Sequence, residues 1–135
     1  FKDEPLVLVC SVKHEFAKYT DIDIHKIQFE RFIHFEEQIP TRKCIDDILS
    51  KYNMKLTPAM EFDNTETIKR AVEINSGVSI LPENTVCQEI QNGTLKALKF
   101  INENFFRPTG IITRRNKIQS KASQYFVNLL REAGI

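Results

Sequence analysis

The sequence predicts an α/β fold with a mixed, mostly parallel sheet flanked by helices, and three observations predict it. Leu6–Cys10 is an unbroken apolar run of strand length, which suits a strand buried on both faces. Short β-favouring runs alternate along the chain with helical patterns of about ten residues, the order that favours parallel pairing. Phe62–Pro82, read as FDNTETIKRAVEINSGVSILP, couples a capped amphipathic helix to a glycine turn and then to a strand.

Taken in order, Leu6–Cys10 is the first strand, with Pro5 just before it. Lys13–Asp23 is polar and reads as loop, with Thr20–Asp23 resembling a capping box that opens a short helical turn. Phe32–Phe35 is a second short strand and Glu36–Pro40 a loop. Thr41 opens a helix whose apolar positions Ile45, Ile48, Leu49 and Tyr52 fall at i, i+3, i+4 and i+7. Leu56–Phe62 is a third strand. Asn64 then caps a helix whose apolar stripe holds Ile68, Ala71 and Val72. Ser76-Gly77 ends that helix, with Gly77 expected to take the left-handed backbone. Val78–Leu81 is a strand stopped by Pro82.

Glu83–Gln91 reads as a short helix ended by Asn92-Gly93, and Thr94–Phe100 as an edge or crossover strand. Thr109–Arg115 is a further strand. Ser120 caps a last helix carrying Ala122, Phe126, Leu129, Leu130 and Ala133 on one stripe.

The 135 residues are 41% hydrophobic and 27% charged, a composition that supports one domain with a real core and argues against disorder. A net charge of +1 removes any global attraction to nucleic acid. That charge is uneven, because Phe106–Ile135 holds six basic residues against one acidic. No apolar run is long enough to cross a bilayer, and no membrane partner is expected. Cys10, Cys44 and Cys87 form neither a disulfide framework nor a zinc pattern; Cys10 and Cys44 read as small buried hydrophobes, and a reducing cytoplasm suits the set. The chain begins at Phe1 and enters a strand almost at once, so it reads as a piece cut from a longer polypeptide.

No catalytic constellation is visible. His14, His25 and His34 share no metal-ligand spacing, and no cofactor or metal is expected. The adjacent pairs Asp46-Asp47 and Glu36-Glu37 diverge and make no acid/base dyad. No nucleophile elbow or glycine-rich phosphate loop occurs. Arg114–Lys117 is short, lacks interleaved aromatics and reads as a solvated strand end. In parallel α/β sheets ligands bind beyond the carboxyl ends of strands, against helix amino ends. Two helix starts fit, Thr41-Arg42 and Asn64-Thr65, where a hydroxyl or amide and a guanidinium can hold an anion. From the residues alone Thr41 is first an N-cap and Arg42 a first-turn side chain; Asn64 is a cap that can also present its neighbours' N–H groups. Phe35 and Phe62 lie at strand ends and read as core before pocket wall. Glu36-Glu37 either discourages anions nearby or orients Arg42.

The stretches EPLVLVC, FIHFEEQIPTRKCIDDIL, FDNTETIKRAVEINSGVSILP, EIQNGTLKAL and RPTGIITRR with SKASQYFVNLL resemble, in order and spacing, the effector-binding region of LysR-type transcriptional regulators. The TR at a helix start looks most like the branch that senses sulfur metabolites or small anions. The resemblance implies a fold like that of type 2 periplasmic binding proteins, in which two subdomains joined by two crossover strands close on a small effector. It implies that Glu4–Cys10 and Pro108–Thr113 are the paired crossovers. Residues 1–106 would then form the second regulatory subdomain, and 107–135 the returning crossover and the terminal helix of the first. Thr41, Arg42, Asn64 and Thr65 would contact a small-molecule effector, read as an anion. The resemblance further implies a dimer of effector domains within a tetrameric parent, with DNA reached only through an N-terminal domain expected to lie outside this chain. A transport-type solute-binding protein of the same fold is the alternative, and an enzyme on this fold is a third reading that would need a catalytic constellation.

Overall fold

The computed structural model describes residues 2–110, 118 and 120–133. Its first strand, β1 (Lys2–Ser11), is longer than the apolar run and organises everything else. Leu6–Cys10 are all buried, as an apolar run with partners on both faces and both edges must be. On one edge β1 pairs antiparallel with β5 (Ser79–Pro82), Leu8 opposite Ile80. On the other edge its partner changes along its length: β7 (Phe105–Thr109) faces Lys2–Leu6, and β6 (Leu95–Phe100) faces Leu8–Ser11. Pro5 lies where β1 is paired on one side only, so its missing N–H breaks no ladder on the other.

The sheet is therefore mixed. β6 pairs parallel with β2 (Asp21–Ile22), and β3 (Ile33–Phe35) pairs parallel with β4 (Met60–Phe62). A parallel bridge between Phe32 and Val78 sets β3 beside β5. Among the described residues the antiparallel pairs all involve β1 and outnumber the parallel ones, three to two, so the sheet is mixed as expected but less parallel than the strand–helix alternation predicted.

α1 (Pro40–Lys51) follows β3 and buries Ile45 and Leu49; α2 (Thr65–Glu73) follows β4 and buries Ile68, Ala71 and Val72. Asn64 caps α2 as expected, its Oδ1 accepting the Thr67 N–H at 2.9 Å. A buried ion pair ties α2 to α3 (Cys87–Asn92): Lys69 Nζ meets Glu89 at 3.1 Å and Glu66 at 2.7 Å. Burial alone would lower the Lys69 pKa; Glu66 and Glu89 more than offset it and raise it. Cys10 is buried, which pushes its thiol up to about 11 and leaves it unreactive, whereas Cys44 is half-buried and Cys87 exposed.

Several local expectations change. Thr41 is not an N-cap, because Pro40 already occupies the first helical position, where its fixed φ suits a helix start, and the cap residue Ile39 offers no side chain. Gly77 is not left-handed; Asn75 is, at φ 61°. Gly77 is required by space, since a Cβ there would lie 2.5 Å from the Arg31 carbonyl oxygen. The expected left-handed glycine occurs instead at Gly93, φ 74°, closing α3. The helix over 83–91 starts as a 3₁₀ turn, Glu83–Val86, before α3. The third strand shrinks from Leu56–Phe62 to β4, because Pro58 cannot donate to a ladder and pairing resumes at Ala59, whose N–H reaches Phe32 O. The polar stretch after β1 is more ordered than a loop, with 3₁₀ turns at Glu15–Lys18 and Ile24–Phe29, the second capped by Asp23 rather than Thr20. β6 is flanked by β1 and, at its end, by β2, and it is β7 that returns beside β1. The expected strand over 109–115 lies mostly outside the described residues. α4 (Lys121–Glu132) forms with its Ser120 cap, yet none of its residues is buried.

Candidate functional site

Because β3 and β4 run parallel and in register, Phe35 beside Phe62, the helices that follow them begin at the same edge of the sheet. The Glu36 N–H donates to Phe62 O at 2.9 Å and closes that edge. The two helix starts singled out above thus share one rim, but their four residues meet different fates.

Thr41 is 4% exposed, and its Oγ1 accepts from Arg107 Nη1 at 2.8 Å. Its hydroxyl proton and its own amide have no partner among the described residues. Arg107, on β7, faces Glu4 on β1 as its register partner. The guanidinium binds one Glu4 oxygen through both Nε, at 2.9 Å, and Nη2. The other Glu4 oxygen accepts from Asn84 Nδ2 at 3.1 Å. This corner links both strands of the β1–β7 pair to the start of α1 and to the turn after β5. Arg107 and Glu4 were missed by sequence reasoning. The signal for them was an opposite charge in and just before the two segments expected to pair, Glu4–Cys10 and Pro108–Thr113, and it has force only once the register is known.

Arg42 behaves as a brace. Its Nε meets Asp46 at 2.8 Å, and its Nη1 donates to Phe35 O at 2.8 Å and to Glu61 at 3.2 Å. Burial opposes the charge, but Asp46 and Glu61 more than compensate and raise its pKa. Asp46 also accepts from buried His34 Nε2 at 2.9 Å, while His34 Nδ1 accepts the Phe35 N–H at 3.0 Å. Arg42 therefore joins β3, β4 and α1 through its Nε and Nη1. Pro40 has no N–H and the Arg42 N–H is spent on Ile39 O, while the Thr41 amide has no partner among the described residues.

Asn64 spends its Oδ1 on the Thr67 amide and hydroxyl and its Nδ2 on Asp63. Thr65 is half-buried as the first residue of α2. Phe35 is buried in the core and Phe62 packs against it. None of Thr41, Arg42, Asn64 or Thr65 borders three surface cavities, of about 210, 320 and 420 Å³, formed by the described residues. Among those residues no group of three His, Cys, Asp or Glu is placed to hold a metal ion. No helix of the described residues is long and apolar enough to cross a membrane. The corner sets the Thr41 amide and hydroxyl beside a guanidinium whose present partner is a carboxylate, that of Glu4.

Comparisons with known proteins agree with this architecture. The family described as LysR substrate binding domain matches residues 1–134. A probable RuBisCO transcriptional regulator of Gracilaria tenuistipitata var. liui is 30% identical over 129 residues, covering 93% of this chain and 42% of the relative. The chain thus spans about two fifths of the length of the curated relatives it matches. The effector binding domain of QuiR in complex with shikimate superposes with a TM-score of 0.81 at 21% identity, over 98% of this chain and 62% of that one. The Synechocystis PCC6803 CcmR regulatory domain in complex with 2-PG gives 0.81 at 23% identity, over 99% and 64%. At such identities the likeness speaks for the fold, which is that of LysR effector-binding domains, like the type 2 periplasmic binding proteins. By the family match across nearly its whole length, this chain belongs to the LysR substrate binding domain family.

Proposed function

We propose that this chain is the effector-sensing part of a LysR-type transcriptional regulator, that it binds rather than transforms its ligand, and that the ligand is a small anionic metabolite. The observation that carries the reading is the corner where Arg107 reaches Thr41 at 2.8 Å, with a hydroxyl proton and an amide at the same residue that have no partner among the described residues. Asn64 and Thr65 would contribute from the start of α2, which follows β4 at the sheet edge where α1 follows β3, and Arg42 ties α1 to β3. Two fold neighbours of this domain type hold small metabolites, shikimate and 2-PG. We retain residues 1–106 as one subdomain and 107–135 as the chain's share of the other; β7 straddles that boundary, as a crossover strand does. The exposed apolar side chains of α4, Tyr125, Phe126 and Leu129, support its belonging to a unit completed by other parts of a longer protein. In such a protein, working in the cytoplasm as a homo-oligomer, the ligand would close the two subdomains and alter DNA binding elsewhere in the chain. It can do so only through different affinities for the two arrangements.

Thermal melts of the chain and of Thr41→Ala with sulfate, thiosulfate, O-acetylserine, small dicarboxylates, shikimate and 2-PG test the reading. A ligand at 100 times its Kd adds about 2.7 kcal/mol to a folded state that alone binds it. At least one anion is expected to raise the wild-type Tm, and the rise is expected to shrink in Thr41→Ala. No rise with any of them would remove the anion site.

A further inference from the structure

We propose that Glu4 is a built-in competitor for the ligand at Arg107, and that the exchange of one for the other links binding to the crossover strands. The inference rests on the anion site proposed above and adds how that site is regulated. Arg107 commits Nε and Nη2 to a single Glu4 oxygen and Nη1 to Thr41, so the face of the guanidinium that suits a carboxylate, sulfate or phosphate is already taken by a carboxylate. Arg42 is the poorer seat for an anion, since its Nε and Nη1 already serve Asp46, Glu61 and Phe35 O, two of them carboxylates. The Glu4 and Arg107 side chains are 21% and 28% exposed, within reach of solvent and of a solute.

Two anions sharing one guanidinium repel each other, so an entering oxyanion binds weakly beside Glu4 or displaces it. Displacement leaves Glu4 with Asn84 and undoes a side-chain link between opposed residues of β1 and β7. Those are the two strands that would carry the chain between subdomains. Ligand capture at α1 is thereby felt at the hinge without a relay through the core.

Two measurements on the 135-residue chain test this, with sodium sulfate and 2-PG as probes at constant ionic strength. In isothermal titration Glu4→Gln binds about tenfold more tightly than wild type, the factor that 1.4 kcal/mol gives, while Glu4→Asp stays near wild type. A general loosening of the structure weakens binding and cannot produce that gain. In wild type the Arg107 Nε–H resonance moves with the same midpoint as the Thr41 amide as anion is added. Glu4→Gln affinity equal to or below wild type, or a fixed Arg107 resonance beside a moving Thr41 amide, overturns the inference and leaves the sensor reading intact. Absence of binding in wild type and Glu4→Gln alike, with no Thr41 response, overturns both. If Glu4→Gln does not fold, the wild-type resonance decides.

Discussion

Gly77 shows how a single position is set by a contact distant in sequence. The Arg31 carbonyl accepts the Val78 N–H at 2.9 Å and presses on the space a side chain at 77 would need. Gly77→Ala and Gly77→Asn are each expected to cost about 2 kcal/mol in urea unfolding, since the obstacle is backbone. Were 77 left-handed instead, asparagine would be tolerated there. The sequence marks this glycine but assigns it the wrong cause, because a helix end is visible locally and an approach by residue 31 is not. His34 belongs to the same scale. Its burial lowers its pKa below the ordinary 6.5, with Asp46 only partly offsetting, and the Phe35 N–H occupies Nδ1, where a second proton would go. The unfolded chain takes that proton at about 6.5 and the folded one only at lower pH, so this stability is complete above 6.5 and falls as pH drops toward the folded value. Unfolding free energy measured against pH is expected to decline on acidification below 6.5, and His34→Gln to flatten that part of the curve.

Among the elements, α2 and α3 are joined by charge where most of the molecule is joined by apolar packing. Lys69 and Glu89 are both 5% exposed. Lys69→Met leaves Glu89 with only Arg70 at 3.4 Å and is expected to cost about 3 kcal/mol, while Lys69→Met with Glu89→Leu recovers most of it, as read by denaturant midpoints. A double variant as unstable as the single would show that packing, not an unpaired charge, is at fault. α4 is the opposite case, amphipathic by sequence but unburied. Phe126→Ser with Leu129→Gln is expected to change the chain's stability by less than about 0.5 kcal/mol. A loss of several times that would mean the stripe packs against the body after all. Helix existence was legible throughout, because 3.6-residue periodicity and caps are local properties. Whether a stripe is covered depends on what lies opposite it, and the α4 pattern alone carries no sign of that.

At the scale of the molecule, the strand alternation and the unbroken Leu6–Cys10 run announced an α/β domain, and the pairing of β1 with a strand near 108 was anticipated, though a few residues late. The candidate site was half legible. Thr41 stood out as a hydroxyl at a helix start, yet the arginine that reaches it lies 66 positions away, and only the β1–β7 register brings it there. Arg42, the more obvious cation, is consumed by the fold. We propose this corner as the place where a small anion is received. Mapping backbone amide shifts of the described residues while the chain is titrated with 2-PG and sulfate tests it most directly. Saturable shifts are expected to concentrate at Thr41, Glu4, Arg107 and Asn84, with little change around Phe29 or Ile90. Shifts centred elsewhere, or none that saturate, would contradict it.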